Sequence, residues 1–112
     1  MTERDKRYGV ISMAMKAGGV ASGADTALTA IRKGRAYAAV IACDASDNTK
    51  KRFRNSCEYY GVWYTIFGEK ETLGRCIGKE ERSVLVLTNE SLAGAFIEQT
   101  GRNDVDGENK DF

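Results

Sequence analysis

GVASGADTALTAIRKG, residues 19–34, is the stretch that decides how this chain begins to fold. A glycine-rich turn leads there directly into a helix, which continues to two basic residues and ends at Gly34. The N–H groups of a helix N-terminus are unpaired and carry a partial positive charge, and Gly23 has no side chain to hold a phosphate or a base edge away from them. The stretch therefore fits a nucleic-acid site, and an ordinary strand-to-helix turn is the alternative from these residues alone.

The length and charge of the chain limit its domain organisation and the position of any basic surface. A chain of 112 residues with 42% hydrophobic content predicts one domain, residues 1–100, followed by a polar tail over 101–112 that is expected to be disordered. The 17 basic and 16 acidic residues nearly cancel, so a basic surface has to be local. The segment 32–54 carries such an excess of basic residues.

The cysteines and the N-terminus indicate a cytoplasmic protein. Cys43, Cys57 and Cys76 are three in number and far apart, which fits neither a disulfide framework nor a zinc site. Cys43 and Cys57 are expected to be small buried hydrophobic residues. The charged N-terminus and the lack of any apolar run near the roughly 20 residues of a membrane span argue against export and insertion.

Helical and strand-like patterns alternate along the chain. Apolar spacing predicts helices at 5–16, 24–34, 44–60 and 70–77 and around 92–97, and short strands at 20–22, 38–43, 62–67 and 84–88. The residues expected on the inner faces of the second and third helices are Ala24, Ala27, Leu28, Ile31, Phe53, Cys57 and Tyr60. This alternation predicts a three-layer α/β/α sandwich with a small mixed four-stranded sheet.

Catalytic chemistry finds little support in these residues. The chain has no histidine, the side chain most often used for proton transfer near neutral pH. The glycine pattern from Gly18 to Gly23 is neither a P-loop nor a dinucleotide fingerprint. The pairs Asp44/Asp47 and Glu80/Glu81 are explained by helix capping and solvation. Neither an enzyme nor a cofactor nor a metal site is predicted.

A nucleic-acid surface is better supported, because three segments are expected at the ends of strands. They are the Gly23 turn with its helix, the segment DASDNTKK at 44–51, and the turn at 78–83. Ligands of sheet folds collect at strand ends and at helix N-termini. Each segment alone could be a solvated turn, so the hypothesis depends on all three segments meeting at one surface.

Three blocks of sequence make the chain recognisable: SGADTALTAIRKG from Ser22, ACDASDNTKKRFRNSCEYYGV from Ala42 and LGRCIGKEERSVLVLTNESLA from Leu73. Over about Tyr8 to Ile97 the sequence closely resembles the ribosomal protein L7ae family of kink-turn RNA-binding proteins, in particular its small bacterial YlxQ-type members. The resemblance implies a three-layer α/β/α fold, no catalysis, and binding to a sharply bent RNA loop flanked by sheared G·A pairs.

The resemblance also implies where RNA is read. The family's Gly-x-Asn-Glu-x-x-Lys pattern reads guanine edges, and this chain keeps the glycine as Gly23. Asp25, Thr26 and Thr29 stand at the Asn, Glu and Lys positions, so a donor and a positive charge are missing.

The turn at 78–83 is a second departure from the family pattern. Archaeal and eukaryotic members have aliphatic residues there, whereas this chain has Lys79, Glu80, Glu81 and Arg82. Arg82 is expected to stack on a base or pair with a phosphate. The YlxQ-type members share this charged turn.

The prediction is therefore a monomeric, ribosome-associated RNA-binding protein that recognises a kink-turn or related structured RNA. The residues predicted to bind RNA are Gly23, Ala24, Asp25, Thr26, Thr29, Lys33, Asn48, Lys50, Lys51, Lys79, Glu80 and Arg82. A solvated helix face is the alternative for Lys50 and Lys51. The alternative function is a protein-interaction or ribosome-associated module that has lost kink-turn specificity.

Overall fold

The computed structural model of the protein describes residues 5–104. Within this range the elements are α1 (Lys6–Lys16), β1 (Val20–Ser22), α2 (Ala24–Arg32), β2 (Ala38–Ile41), α3 (Asp47–Tyr60), β3 (Tyr64–Ile66), α4 (Lys70–Cys76), β4 (Val84–Leu87) and α5 (Glu90–Asp104). All of them overlap the predicted stretches, and α5 extends beyond its own. The third helix starts later than expected because Ser46 caps it, accepting a hydrogen bond from the Thr49 N–H at 3.1 Å.

The four strands form one mixed sheet in the order β1-β4-β2-β3. The strand β4 pairs antiparallel with both β1 and β2, whereas β2 and β3 are parallel. Every residue of β2 and β4 is buried, which requires helices on both faces of the sheet. The helices α2 and α3 pack together, and α1 packs with α4 and α5. The predicted three-layer α/β/α sandwich with a small mixed four-stranded sheet is confirmed.

The end of the last helix is held by a buried arginine. Arg7 forms an ion pair with Asp5 at 2.7 Å, and its guanidinium carbon lies 4.0 Å from the centre of the Phe67 ring. The same guanidinium donates to the Thr100 hydroxyl of α5 at 3.2 Å. This anchor lets α5 continue to Asp104, so the tail expected to be disordered from Gly101 is helical over 101–104, and residues 105–112 lie outside the described residues.

Three burial expectations are wrong. Cys43 is exposed, because β2 ends at Ile41 and the chain then leaves the sheet. Ala24 is exposed because it is the first residue of α2. Tyr60 is 45% exposed because it lies in the last turn of α3, where it contacts Tyr59 edge to face. Cys57 is buried as expected.

No helix among residues 5–104 combines the length and the apolar character needed to cross a bilayer.

Candidate nucleic-acid interface

The ends of β1, β2 and β3 and the start of β4 coincide at one edge of the sheet. Ser22 is paired with Leu85, and Ile41 is paired with both Val84 and Ile66. The loops that leave these strand ends therefore emerge side by side. We call this surface the loop edge; its segments are residues 22–26, 43–48, 68–70 and 78–83.

The first segment of the loop edge is the start of α2. Gly23 occupies the N-cap with φ of +91°, a conformation that L side chains rarely adopt, and it provides no side-chain cap for the helix. Asp25 and Thr26 are exposed in the first turn, and Thr29 is exposed one turn further on. None of these three side chains makes a hydrogen bond or ion pair with any residue from 5 to 104. They are available to a ligand.

The second segment leads from β2 into α3. Asn48 and Lys51 are exposed, and Lys50 is half-buried, all within the first turns of the helix. Because α2 and α3 pack against each other and both start at the loop edge, these side chains flank the start of α2. Two lysines in this position add positive charge close to the unpaired N–H groups of α2.

The fourth segment, the loop between α4 and β4, presents Arg82 in a fixed orientation. Its Nε donates to the Ser22 hydroxyl at 3.4 Å, and its Nη1 donates to the carbonyl oxygens of Glu80 at 3.3 Å and Glu81 at 3.0 Å. The Nη2 group has no partner among residues 5–104. A guanidinium carries five N–H donors, so the two on Nη2 remain available to a phosphate or to the acceptors of a base.

One series of hydrogen bonds ties all four segments of the loop edge together. The Asp44 carboxylate accepts from the Lys70 N–H at 2.8 Å, and the Lys70 carbonyl accepts from the Arg82 N–H at 3.0 Å. Arg82 in turn reaches Ser22 through its side chain. Glu69, the N-cap of α4, makes no side-chain cap bond, so Asp44 supplies that cap from another loop.

Close packing against α4 also fixes the loop between α4 and β4. Gly74 is a buried residue of α4, and a Cβ at this position would collide with the backbone of Glu80 and Glu81. The Lys70 ammonium also lies 3.5 Å from the exposed Glu81 carboxylate, a pair that contributes little at the surface. The position of Arg82 is therefore set by backbone packing and by hydrogen bonds to uncharged acceptors.

The structure brings most of the predicted RNA-binding residues together but leaves one outside. Gly23, Ala24, Asp25, Thr26, Asn48, Lys79, Glu80 and Arg82 belong to the loop edge, and Thr29, Lys50 and Lys51 lie within about a helical turn of it. Lys33 is the C-cap of α2, ten residues beyond Gly23 and about 15 Å along the helix axis, near the opposite edge of the sheet.

Sequence reasoning missed three residues that organise the loop edge. Ser22, Asp44 and Lys70 hold the loop of Arg82, and none of them is among the residues predicted to bind RNA, although Asp44 lies in the predicted segment 44–51. A signal existed for Asp44, since it follows a buried strand directly and the fourth helix lacks a good capping residue of its own at Glu69. Nothing in the sequence indicates the role of the Lys70 backbone.

The loop edge is mixed in charge. The exposed carboxylates in its four segments are those of Asp25, Asp44, Asp47, Glu69, Glu80 and Glu81, and its cations are Lys70, Lys79 and Arg82, with Lys50 and Lys51 beside them. A surface with both acceptors and charged donors suits base edges flanked by phosphates better than it suits a phosphate backbone alone.

Comparison with known proteins places this geometry in a family. The family described as ribosomal protein L7Ae/L30e/S12e/Gadd45 matches residues 5–95. The chain is similar to the RNA-binding protein YlxQ of Bacillus subtilis, at 37% identity over 80% of this chain and 90% of that protein. It is also similar to the RNA-binding protein YlxQ of Enterococcus faecium, at 33% identity over 77% of this chain and 84% of that protein.

Solved structures share the fold. A protein of unknown function from Bacillus halodurans superposes with a TM-score of 0.82 at 24% identity, covering 86% of this chain and 97% of the other. The 15.5kD RNA-binding protein of Giardia lamblia superposes with a TM-score of 0.75 at 22% identity, covering 94% of this chain and 92% of the other. The family match extends over most of the chain, and this protein belongs to the ribosomal protein L7Ae/L30e/S12e/Gadd45 family.

Proposed function

We propose that this protein is a non-catalytic, cytoplasmic RNA-binding protein that recognises a kink-turn or a related structured RNA and acts in association with the ribosome. One observation carries the proposal. Three segments that are distant in sequence meet at the loop edge, and they present unpaired helix N–H groups, free carboxylate and hydroxyl side chains and an oriented guanidinium together.

Each part of the loop edge has a role in this proposal. The first N–H groups of α2 and the side chains of Asp25, Thr26 and Thr29 read base edges, because none of them has a partner among residues 5–104. Arg82 contacts an acceptor through Nη2, and Lys50 and Lys51 contact phosphates on either side.

The names of the relatives support the same proposal. The proteins of Bacillus subtilis and Enterococcus faecium that are 37% and 33% identical to this chain are both called RNA-binding, and each is covered over most of its length. A similar fold occurs in the Giardia RNA-binding protein.

Titration of two matched RNAs tests the proposal. The first is a kink-turn RNA, and the second is the same RNA with its G·A pairs replaced by Watson–Crick pairs, both at one stated moderate salt concentration. We expect tight binding to the first RNA only. Equal, weak binding to both would contradict kink-turn recognition.

A second candidate function rests on the start of α2. Asp25, Thr26 and Thr29 are exposed, and they carry no positive charge where the family pattern has a lysine, which favours a protein-binding module that keeps the fold. The two functions separate in a pull-down from cell extract. Nuclease treatment releases the partners of an RNA-binding protein and leaves direct protein partners bound.

A further inference from the structure

The exposed tyrosines of this protein lie away from the loop edge. Among residues 5–104 the exposed large hydrophobic side chains are Met13, Tyr37, Tyr59, Tyr60 and Ile66. Tyr37 immediately precedes β2, and Tyr59 and Tyr60 end α3. These three tyrosines sit at the strand starts, on the side of the sheet opposite to the loop edge.

The topology brings the three tyrosines close to one another. The helices α2 and α3 pack together and both start at the loop edge, so their C-terminal ends lie on the same side of the molecule. The strands β2 and β3 are parallel neighbours, and the Ala39 N–H donates to the Trp63 carbonyl at 2.9 Å. Tyr37 therefore lies next to the linker that follows Tyr60.

Positive charge accompanies these rings. Arg32, Lys33 and Arg35 are exposed, and the segment 32–37 contains no carboxylate. We call this surface the tyrosine end; its residues are Arg32, Lys33, Arg35, Tyr37, Tyr59 and Tyr60. The cations near the C-terminus of α2 also stabilise that helix, but this does not explain why tyrosine rings are exposed beside them.

The outer face of α3 connects the two ends of the molecule. Lys51, Asn55 and Tyr59 are four residues apart, are all exposed, and follow one row of the helix surface. This row is about 12 Å long between Lys51 and Tyr59. The helix carries four cations and two carboxylates, and one of these carboxylates, Glu58, accepts from the Tyr64 hydroxyl at 2.9 Å.

The ring of Tyr59 is open for stacking. It is 82% exposed, and its contact with Tyr60 is edge to face, with ring centres 4.8 Å apart and an angle of 79°. A tyrosine ring beside arginine and lysine side chains is how proteins hold single-stranded nucleic acid, because a base stacks on the ring while the cations meet its phosphates.

We propose that the outer face of α3 and the tyrosine end bind a single-stranded RNA segment that continues from the structured RNA at the loop edge. A polyanion fits this surface better than a protein partner, because Arg32, Lys33 and Arg35 are exposed on the segment that leads to Tyr37, and within residues 5–104 the large hydrophobic side chains exposed at this end are all tyrosines. The inference rests on the proposed function in taking RNA as the ligand.

Three RNAs test the inference: a blunt kink-turn duplex and two versions of it, each with a six-uridine extension at a different strand end. At fixed moderate salt we expect one extended RNA to bind about tenfold more tightly than the blunt RNA. The substitution Tyr59→Ala should remove this gain and leave the affinity for the blunt RNA within about twofold, while Tyr59→Phe should keep the gain. Met13→Ala, at an exposed residue of α1, is the matched control.

Two outcomes would overturn the inference. One is equal affinity of the wild-type protein for the blunt and both extended RNAs, which would leave a protein as the partner of the tyrosine end. The other is a gain that survives Tyr59→Ala. If the kink-turn duplex fails to bind at all, a twelve-uridine oligonucleotide replaces it. Binding of that oligonucleotide that depends on Tyr59 would then support the inference while the proposed function fails, and lack of binding would overturn both.

Discussion

The loop between α4 and β4 and the first turn of α2 lie side by side at the loop edge, but they are built differently. Arg82 makes three side-chain hydrogen bonds, and its backbone is tied through Lys70 to Asp44. In α2, Asp25 and Thr26 make no side-chain hydrogen bond with any residue between 5 and 104.

This difference indicates two kinds of contribution to binding. A side chain that the fold already holds loses little conformational entropy when a ligand arrives, so Arg82 provides a rigid contact. The free side chains of α2 lose entropy on binding but can adapt to the bases they meet. Substitutions in the α4–β4 loop should therefore change stability and binding together, whereas substitutions in α2 should separate the two.

The largest expected effect comes from Gly74→Ala. The added methyl group would collide with the Glu80 carbonyl, and helix and loop would have to move apart. We expect a loss of about 3 kcal/mol in the free energy of unfolding, measured by denaturant titration, and weaker RNA binding because the loop of Arg82 is displaced.

Gly94→Ala is the matched control for that substitution. Gly94 is also helical, but it is exposed in α5 and a Cβ there meets no atom within 4 Å. Alanine should raise the stability by about 0.5–1 kcal/mol at this position. A gain in stability at Gly74 as well would contradict the close approach described for α4.

A smaller effect is expected from Asp44→Ala. The substitution removes the cap of α4, which should cost about 1 kcal/mol of stability, and it frees the backbone that positions Arg82. RNA affinity should fall about fivefold, the equivalent of that energy. Asp44→Asn keeps an acceptor oxygen and should lose less of both.

A double-mutant cycle shows whether Asp44 acts through Arg82. In the background of Arg82→Ala, Asp44→Ala should reduce RNA affinity much less than it does in the wild-type protein. An equal reduction in both backgrounds would mean that Asp44 touches RNA itself or acts through another residue.

The fold was predictable because its signals are local. The apolar run at 38–43 and the turn glycines specify strands and helix ends within a few neighbouring residues. Burial at the ends of elements was not predictable in the same way. Cys43 and Tyr60 continue the apolar patterns of their segments, but β2 and the packed part of α3 end just before them.

The site was predictable only in outline. Gly23 and Arg82 are visible in the sequence because a turn glycine and a charged loop have recognisable roles. The bonds that join Asp44 to Lys70 and Arg82 to Ser22 connect residues 26 and 60 positions apart, and they depend on which strands become neighbours. Lys33 lies outside the loop edge, since a helix that starts at a site carries its last residues away from it.

Asp25→Asn should move stability and binding in opposite directions. The carboxylate stabilises the N-terminus of α2 through the helix dipole, so its loss should cost about 0.5 kcal/mol of stability. RNA affinity should rise about threefold, because a charge that repels phosphates is replaced by a side chain that can donate.

Glu90→Gln provides the control for Asp25. Glu90 lies in the first turn of α5, at the opposite edge of the sheet, so it should show a similar loss of stability and no change in RNA affinity. A fall in affinity for Asp25→Asn would indicate that the carboxylate accepts hydrogen bonds from the RNA.

The last prediction concerns the thiols of the protein without any substitution, and it disturbs the structure least. Cys43 is exposed at the loop edge, whereas Cys57 is buried on the inner face of α3. Desolvation, with a smaller contribution from Glu58, raises the pKa of the Cys57 thiol to about 11. Burial covers the Cys57 thiol and its raised pKa keeps it protonated, so at pH 8 the exposed Cys43 should be labelled and Cys57 should not, as measured by mass spectrometry of peptides. Bound structured RNA should slow the labelling of Cys43, because RNA on the loop edge covers it. If bound RNA leaves the rate of Cys43 labelling unchanged, the RNA binds elsewhere. This test needs no substitution, so the α4–β4 loop and the first turn of α2 both stay intact.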